Sequence, residues 1–139
     1  MPYMEPVYNI LEKHHGKVIY FDFWARWCPP CLAEMEPLKQ LRSKYSTKDL
    51  VIYSICVSEP KEEWEECLNE YSLKNRGIEC VHVTDYLGIN NYQKIRKQWK
   101  IDRMPYYVLI NRKGQIIDFG TAARPSNPQL VSRIEEAVK

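Results

Sequence analysis

Cys28 and Cys31, separated by two residues, carry the chemistry most directly readable from this chain. That spacing lets the first thiol sit at a helix N-cap and the second in the first turn, within bridging range. A helix N-terminus offers unbonded backbone N–H groups and the positive end of the helix dipole, and both stabilise a thiolate. Thiolate is the species that attacks a disulfide sulfur. Cys28, at the exposed end, is the candidate nucleophile, and Cys31 the candidate resolving thiol. The pair could instead be half of a structural zinc site, or two unrelated core cysteines. Zinc needs about four ligands. There is no second CxxC, and Cys67, Cys80, His14, His15 and His82 do not stand at usual ligand spacings, so no metal is expected.

The pair must be held between a strand and a helix, and the surrounding pattern supplies both. Lys17 to Trp24 is a continuous run of β-branched and aromatic residues, which predicts a strand buried on both faces. Asp22 interrupts that run. After the cysteines, Leu38, Leu41 and Tyr45 keep helical spacing to about Lys44. Leu50 to Val57 predicts a second buried strand. Ser58 and Pro60 then start a helix with Trp64, Cys67, Leu68 and Tyr71 on one face. A short strand is expected over Ile78 to Val83, and a helix marked by Tyr92, Ile95 and Trp99. Tyr106 to Ile110 and Gln115 to Phe119 read as a hairpin around Gly114. Glu5 to His14 and a final segment begun by Asn127 and Pro128 complete the helices, the last turning Leu130, Val131, Ile134 and Val138 inward. The order α-β-α-β-α-β-α-β-β-α predicts an α/β domain, a central mixed sheet with helices on both faces.

Composition narrows the partners. With 20 basic and 18 acidic side chains, the net charge of +2 gives no electrostatic case for nucleic acid or an anionic membrane. No window reaches the ~18 consecutive apolar residues that a membrane span needs. The 139 residues fit one domain with a single core. Five cysteines are an odd number, so a disulfide framework is poorly supported and separate thiol roles are favoured.

Val18 to Cys31 (VIYFDFWARWCPPC) resembles the strand and active-site motif of the thioredoxin superfamily. Similarity continues through Ile101 to Asn111 (IDRMPYYVLIN), Gly114 to Asp118 and Arg124-Pro125-Ser126, over nearly the whole chain. The branch it resembles is the TlpA/ResA-like one, and within it the thioredoxin-like domains of Bacteroidetes envelope proteins. The resemblance implies a thioredoxin-like fold and a thiol–disulfide oxidoreductase. Cys28 is then the nucleophile and Cys31 the resolving cysteine, with no cofactor beyond the redox-active disulfide. Partners would be protein disulfides or dithiols and an upstream dithiol electron donor. The implied location is the periplasm or cell envelope, with the targeting segment, and room for an N-terminal domain, outside these residues.

Further residues follow from the same resemblance. Met104-Pro105 would be the cis-proline step shaping the substrate groove, whereas the residues alone read as a trans proline entering an edge strand. Asp22 would be the buried acid that moves the proton of Cys31; the plainer reading is a partly wet carboxylate at a strand end. Glu34 would tune the thiols, or is a solvated helix charge. Apart from the resemblance, Trp24 and Trp27 read as core or groove residues, with Trp27, flanking Cys28, as the surface contact for substrate.

Two departures stand out. Pro29 and Pro30 occupy the space where thioredoxin has Gly-Pro, removing two N–H donors from the helix start. This predicts a Cys28 thiolate less stabilised than in strongly oxidising members, and a reductant-like potential. Pro37 stands one residue later than the family's kink-forming proline. Cys56 and Cys67 read as core thiols. A Cys67–Cys80 disulfide is left open, and Lys61 to Glu66 reads as a solvated face. The alternative function is a non-catalytic binding module of the same fold with incidental thiols. Peroxidase activity is disfavoured because the Thr-x-x-Cys arrangement is absent.

Overall fold

A computed structural model describes residues 5–58, 60–83, 97 and 101–139. The first helix, α1 (Glu5–Lys13), is followed by a turn through Gly16, whose φ of +82° favours glycine. β1 (Val18–Trp24) and β2 (Leu50–Cys56) are buried along their full lengths, as continuous apolar runs require. They pair in parallel from Val18↔Leu50 to Trp24↔Cys56, so Asp22 stands opposite Ser54. Parallel neighbours need a crossover. Here it is the helix after the cysteines, divided into α2 (Pro29–Ala33) and α3 (Met35–Lys44).

The division has a local cause. Pro37 lacks the N–H that would bond the Ala33 carbonyl, and its ring crowds that carbonyl. The helix therefore breaks at Glu34, whose φ/ψ of −89°/−1° closes α2 before α3 begins.

Next come α4 (Lys61–Glu70), β3 (Ile78–His82), β4 (Tyr106–Ile110), β5 (Ile116–Gly120) and α5 (Pro128–Ala137). The five strands run in the order β3-β2-β1-β4-β5, with β4 antiparallel to both β1 and β5. The β4–β5 connection is shaped by Asn111, whose Oδ1 accepts from the backbone N–H of Lys113 (3.0 Å) and Gln115 (2.9 Å). Gly114 takes φ +79° there. Asn127 caps α5 by accepting from the Gln129 N–H at 3.0 Å, and Leu130 and Ile134 are buried beneath it.

Helices cover both faces of the sheet. Adjacent strand residues point to opposite faces. On one face Tyr20 donates to the Ala123 carbonyl ahead of α5 (2.6 Å). On the other, Tyr53, paired with Phe21, is bonded to His14 at the end of α1 (2.8 Å). His14 thus ties the first helix to the sheet as well as closing it.

Two sequence expectations need correction. Ser58 does not start α4; Pro60 precedes the first turn in extended conformation, and Ser58 turns toward the cysteine loop instead. The strand expected to Val83 ends at His82. The helix expected at Tyr92, Ile95 and Trp99 lies outside the described residues.

Candidate active site

The site forms where β1 ends. Ala25, Arg26 and Trp27 turn the chain from the sheet into α2, and this loop is stitched to the end of β2. Val57 donates its N–H to the Trp24 carbonyl (2.8 Å), and Arg26 its N–H to Ser58 Oγ (2.9 Å). The Arg26 side chain reaches Glu63 (3.0 Å) and Glu66 (3.7 Å) on α4. That stretch is therefore not merely a solvated face, although exposed ion pairs of this kind contribute only ~0–1 kcal/mol each.

Cys28 is the N-cap of α2 and is joined to Cys31 in a disulfide, with Cα atoms 5.3 Å apart. Pro29 and Pro30 leave the first two helical positions without N–H donors. The Cys31 N–H is the donor that remains, and it is shared between the Cys28 carbonyl (3.0 Å) and Cys28 Sγ (3.3 Å). Cys28 is only 5% exposed, less than its place at the loop end predicts, while neighbouring Trp27 is 63% exposed. The pair is thus a closed disulfide beside an open indole.

Asp22 lies inside the sheet at 4% exposure, flanked by Ser54 on β2 and Tyr107 on β4. The partly wet strand end is ruled out. Burial pushes its carboxyl up to about 7, with the nearby Glu34 charge adding to the effect and a hydrogen bond from Ser54 opposing it. That bond spans 3.4 Å from Ser54 Oγ to Asp22 Oδ2, and Ser54 Oγ accepts from Trp24 Nε1 at 2.8 Å.

Glu34 is not a free surface charge. Its two carboxylate oxygens accept from the backbone N–H (2.9 Å) and hydroxyl (2.8 Å) of Ser126. Met104-Pro105 is a cis peptide bond. Tyr106 pairs with Phe23, so Pro105 stands at the sheet end from which the cysteine loop departs. The Pro105 carbonyl accepts from Thr121 Oγ1 at 2.7 Å.

Cys56, Cys67 and Cys80 are free thiols, so the Cys67–Cys80 bridge is not formed. Burial pushes the Cys80 thiol up to about 11 and raises those of Cys56 and Cys67. All three are protonated near neutrality, unlike a reactive cysteine. Among the described residues, no group of three or more His, Cys, Asp or Glu side chains could hold a metal ion.

Sequence reasoning passed over Ser54 and Thr121, and gave Ser58 and the Glu63/Glu66 pair no place at the cysteine loop. Ser54 had a signal: it is the polar residue inside the apolar run of β2, at the same register as Asp22 in β1.

The sheet order, the cis proline at its end and the N-cap disulfide define a thioredoxin-like fold built around a CxxC pair. The Redoxin family profile matches residues 7–138, and the chain belongs to that family. It is similar to the thiol-disulfide oxidoreductase ResA of Bacillus anthracis, with 27% identity over 108 residues, 78% of this chain and 57% of that protein. The chain thus spans somewhat over half the length of this curated relative. It is also similar to a Bacteroides vulgatus protein provisionally assigned as a thiol-disulfide oxidoreductase and solved in solution. That match has 32% identity and a TM-score of 0.71, and covers 91% of this chain and 76% of the other. The thioredoxin domain of another Bacteroides vulgatus thiol-disulfide oxidoreductase superposes with a TM-score of 0.76 over 93% of this chain and 84% of its own. At 20% identity, that is a likeness of fold alone.

Proposed function

We propose that this protein exchanges disulfides with protein substrates through Cys28 and Cys31, working chiefly as a reductant. The observation that carries the reading is the Cys28–Cys31 disulfide at the start of α2, with the buried carboxyl of Asp22 in the adjoining strand.

In the reducing direction, the Cys28 thiolate attacks one sulfur of a substrate disulfide. A mixed disulfide forms and the other substrate sulfur leaves as thiolate. The Cys31 thiol then gives its proton to the Asp22 carboxylate and attacks Cys28 Sγ. The intramolecular disulfide closes, and the second substrate sulfur leaves and is protonated. Two electrons pass from the protein dithiol to the substrate. A carboxyl titrating at about 7 suits this transfer, because a proton acceptor works best with a pKa near the working pH.

Trp27 and the Met104-Pro105 step form the substrate contact in this reading, supported by the exposure of the indole and the position of Pro105 at the same sheet end. Glu34, Pro29 and Pro30 tune the thiols. No cofactor takes part; an upstream dithiol regenerates the reduced pair. The envelope location implied by the TlpA/ResA resemblance belongs to the same proposal.

The test is insulin reduction with dithiothreitol as donor, comparing the protein with Cys28→Ser. Loss of the accelerated reduction in the variant is expected. Equal turnover would defeat the reading in favour of a binding module with incidental thiols.

A further inference from the structure

Asp22 carries a buried acid group that accepts one side-chain hydrogen bond among the described residues. The single hydrogen bond to its carboxylate among the described residues comes from Ser54 Oγ, at 3.4 Å. Ser54 is fully buried, and its oxygen receives the Trp24 Nε1 proton at 2.8 Å. A serine hydroxyl has one proton and two lone pairs, whereas an indole N–H can only donate. Trp24 therefore occupies a lone pair, fixes the oxygen and leaves the hydroxyl proton directed at Asp22.

We propose that Ser54, oriented by Trp24, is the positioning residue that governs when Asp22 takes up and releases its proton. This rests on the reading of Asp22 as the proton partner of Cys31. A donor aimed at the carboxylate favours its charged form, while burial favours the neutral form. The bond is long in the disulfide state, beyond the usual O–H···O range. It shortens as Asp22 ionises, since hydroxyl bonds to a carboxylate contract to about 2.5–2.7 Å. The contact thus strengthens in the half of the cycle in which Asp22 must be charged to accept a proton.

The other groups facing Asp22 do not substitute for it. Tyr20 on β1, Cys56 on β2, Cys80 on β3 and Tyr107 on β4 each feel the Asp22 charge, and burial raises the pKa of each. The Tyr107 hydroxyl is buried without a hydrogen-bond partner among the described residues. Glu34, at the end of α2, opposes ionisation of Asp22. None of these groups brings a positive charge, so among the described residues Ser54 alone favours the carboxylate by hydrogen bonding.

The experiment follows the Asp22 side-chain carboxyl carbon by NMR across pH in the reduced protein, in Ser54→Ala and in Ser54→Thr. Removal of the hydroxyl is expected to raise the midpoint by about one pH unit, a tenfold change in the ionisation constant. Threonine, which keeps the hydroxyl, is expected to bring it back. The pH profile of insulin reduction should move upward with the midpoint. An unchanged midpoint in Ser54→Ala would overturn the proposal. Should that variant not fold, Trp24→Phe releases the same hydroxyl: a raised midpoint supports the proposal and an unmoved one overturns it. Asp22→Asn separates the two readings. An insulin-reduction profile unaffected by that change would remove Asp22 from the reaction, while the carboxyl titration still decides the role of Ser54.

Discussion

The carboxylate of Glu34 holds both donors of Ser126, the backbone N–H at 2.9 Å and the hydroxyl at 2.8 Å, across 92 positions of sequence. Glu34 is also the residue at which the active-site helix breaks. The break frees its side chain from the regular helical surface, and the double contact ties the end of α2 to the loop that leads into α5. One carboxylate thus fixes the helix carrying Cys31 and places a negative charge within reach of Asp22.

Glu34→Gln separates these effects. It removes the charge that opposes ionisation of Asp22, so the Asp22 carboxyl should titrate below about 7. Glutamine cannot accept both Ser126 donors through its amide nitrogen, so about 1 kcal/mol of stability should also be lost. Carboxyl NMR and urea unfolding read the two separately. An unmoved Asp22 midpoint would show that the Glu34 charge does not reach it.

Asp22 makes the fold sensitive to pH. Its carboxyl titrates at about 7 in the folded chain, against about 3.9 when unfolded. Between these values the folded state holds more protons than the unfolded state, so stability falls as pH rises through that window. The penalty is absent below about pH 4 and complete above pH 7. With the disulfide closed, Asp22→Asn should therefore be the more stable protein at pH 8, by at most about 4 kcal/mol. The advantage should shrink toward zero near pH 4 in urea unfolding. A gap that does not depend on pH would contradict this account.

The two prolines of the active-site turn are expected to leave the Cys28 thiolate less stabilised than an open helix start would. Pro30 occupies a position whose N–H could otherwise bond the N-cap sulfur, leaving the Cys31 N–H alone to do so at 3.3 Å. Iodoacetamide alkylation against pH should place the Cys28 midpoint well above 4. Pro30→Ala should lower it by less than about one unit, given the ~0.3–1 kcal/mol of a helix-terminus interaction. A wild-type midpoint near 4 would end the case for a reductant-like pair.

The proposed division of roles between the two sulfurs is tested by Cys31→Ser. Without the resolving thiol, the mixed disulfide between Cys28 and a reduced insulin chain cannot collapse internally. It should accumulate as a covalent adduct visible by mass spectrometry under non-reducing conditions. Cys28→Ser should form none; an adduct through Cys31 in that variant would reverse the assignment.

Much of this arrangement was legible in the chain. The run around Asp22, the helix cap at Asn127 and the Asn111–Gly114 turn depend on residues close in sequence, and each forms where its pattern predicts. The break at Glu34 was less legible, since Pro37 signals a kink without saying which residue absorbs it. Lys61 to Glu66 forms a largely exposed charged face as its pattern predicts, but that pattern does not reveal that Arg26 comes within 3.0 Å of Glu63.

The sequence by itself determined the pair Cys28 and Cys31, the strand that delivers it, the helix that receives it and the proline-blocked turn between the sulfurs. These follow from local spacing, side-chain periodicity and the missing proline N–H groups. Only the tertiary structure decided what surrounds the pair. Asp22 meets Ser54 because β1 and β2 pair in one register, and a shift of one residue would turn either side chain to the other face. Glu34 meets Ser126 because α5 returns beside the active-site helix. Contacts between residues distant in sequence depend on how the strands and helices pack, and no local pattern specifies that packing. The cysteines were legible as a spacing and Asp22 through a resemblance, but the Ser54 hydroxyl that meets the Asp22 carboxylate emerged only in the assembled sheet.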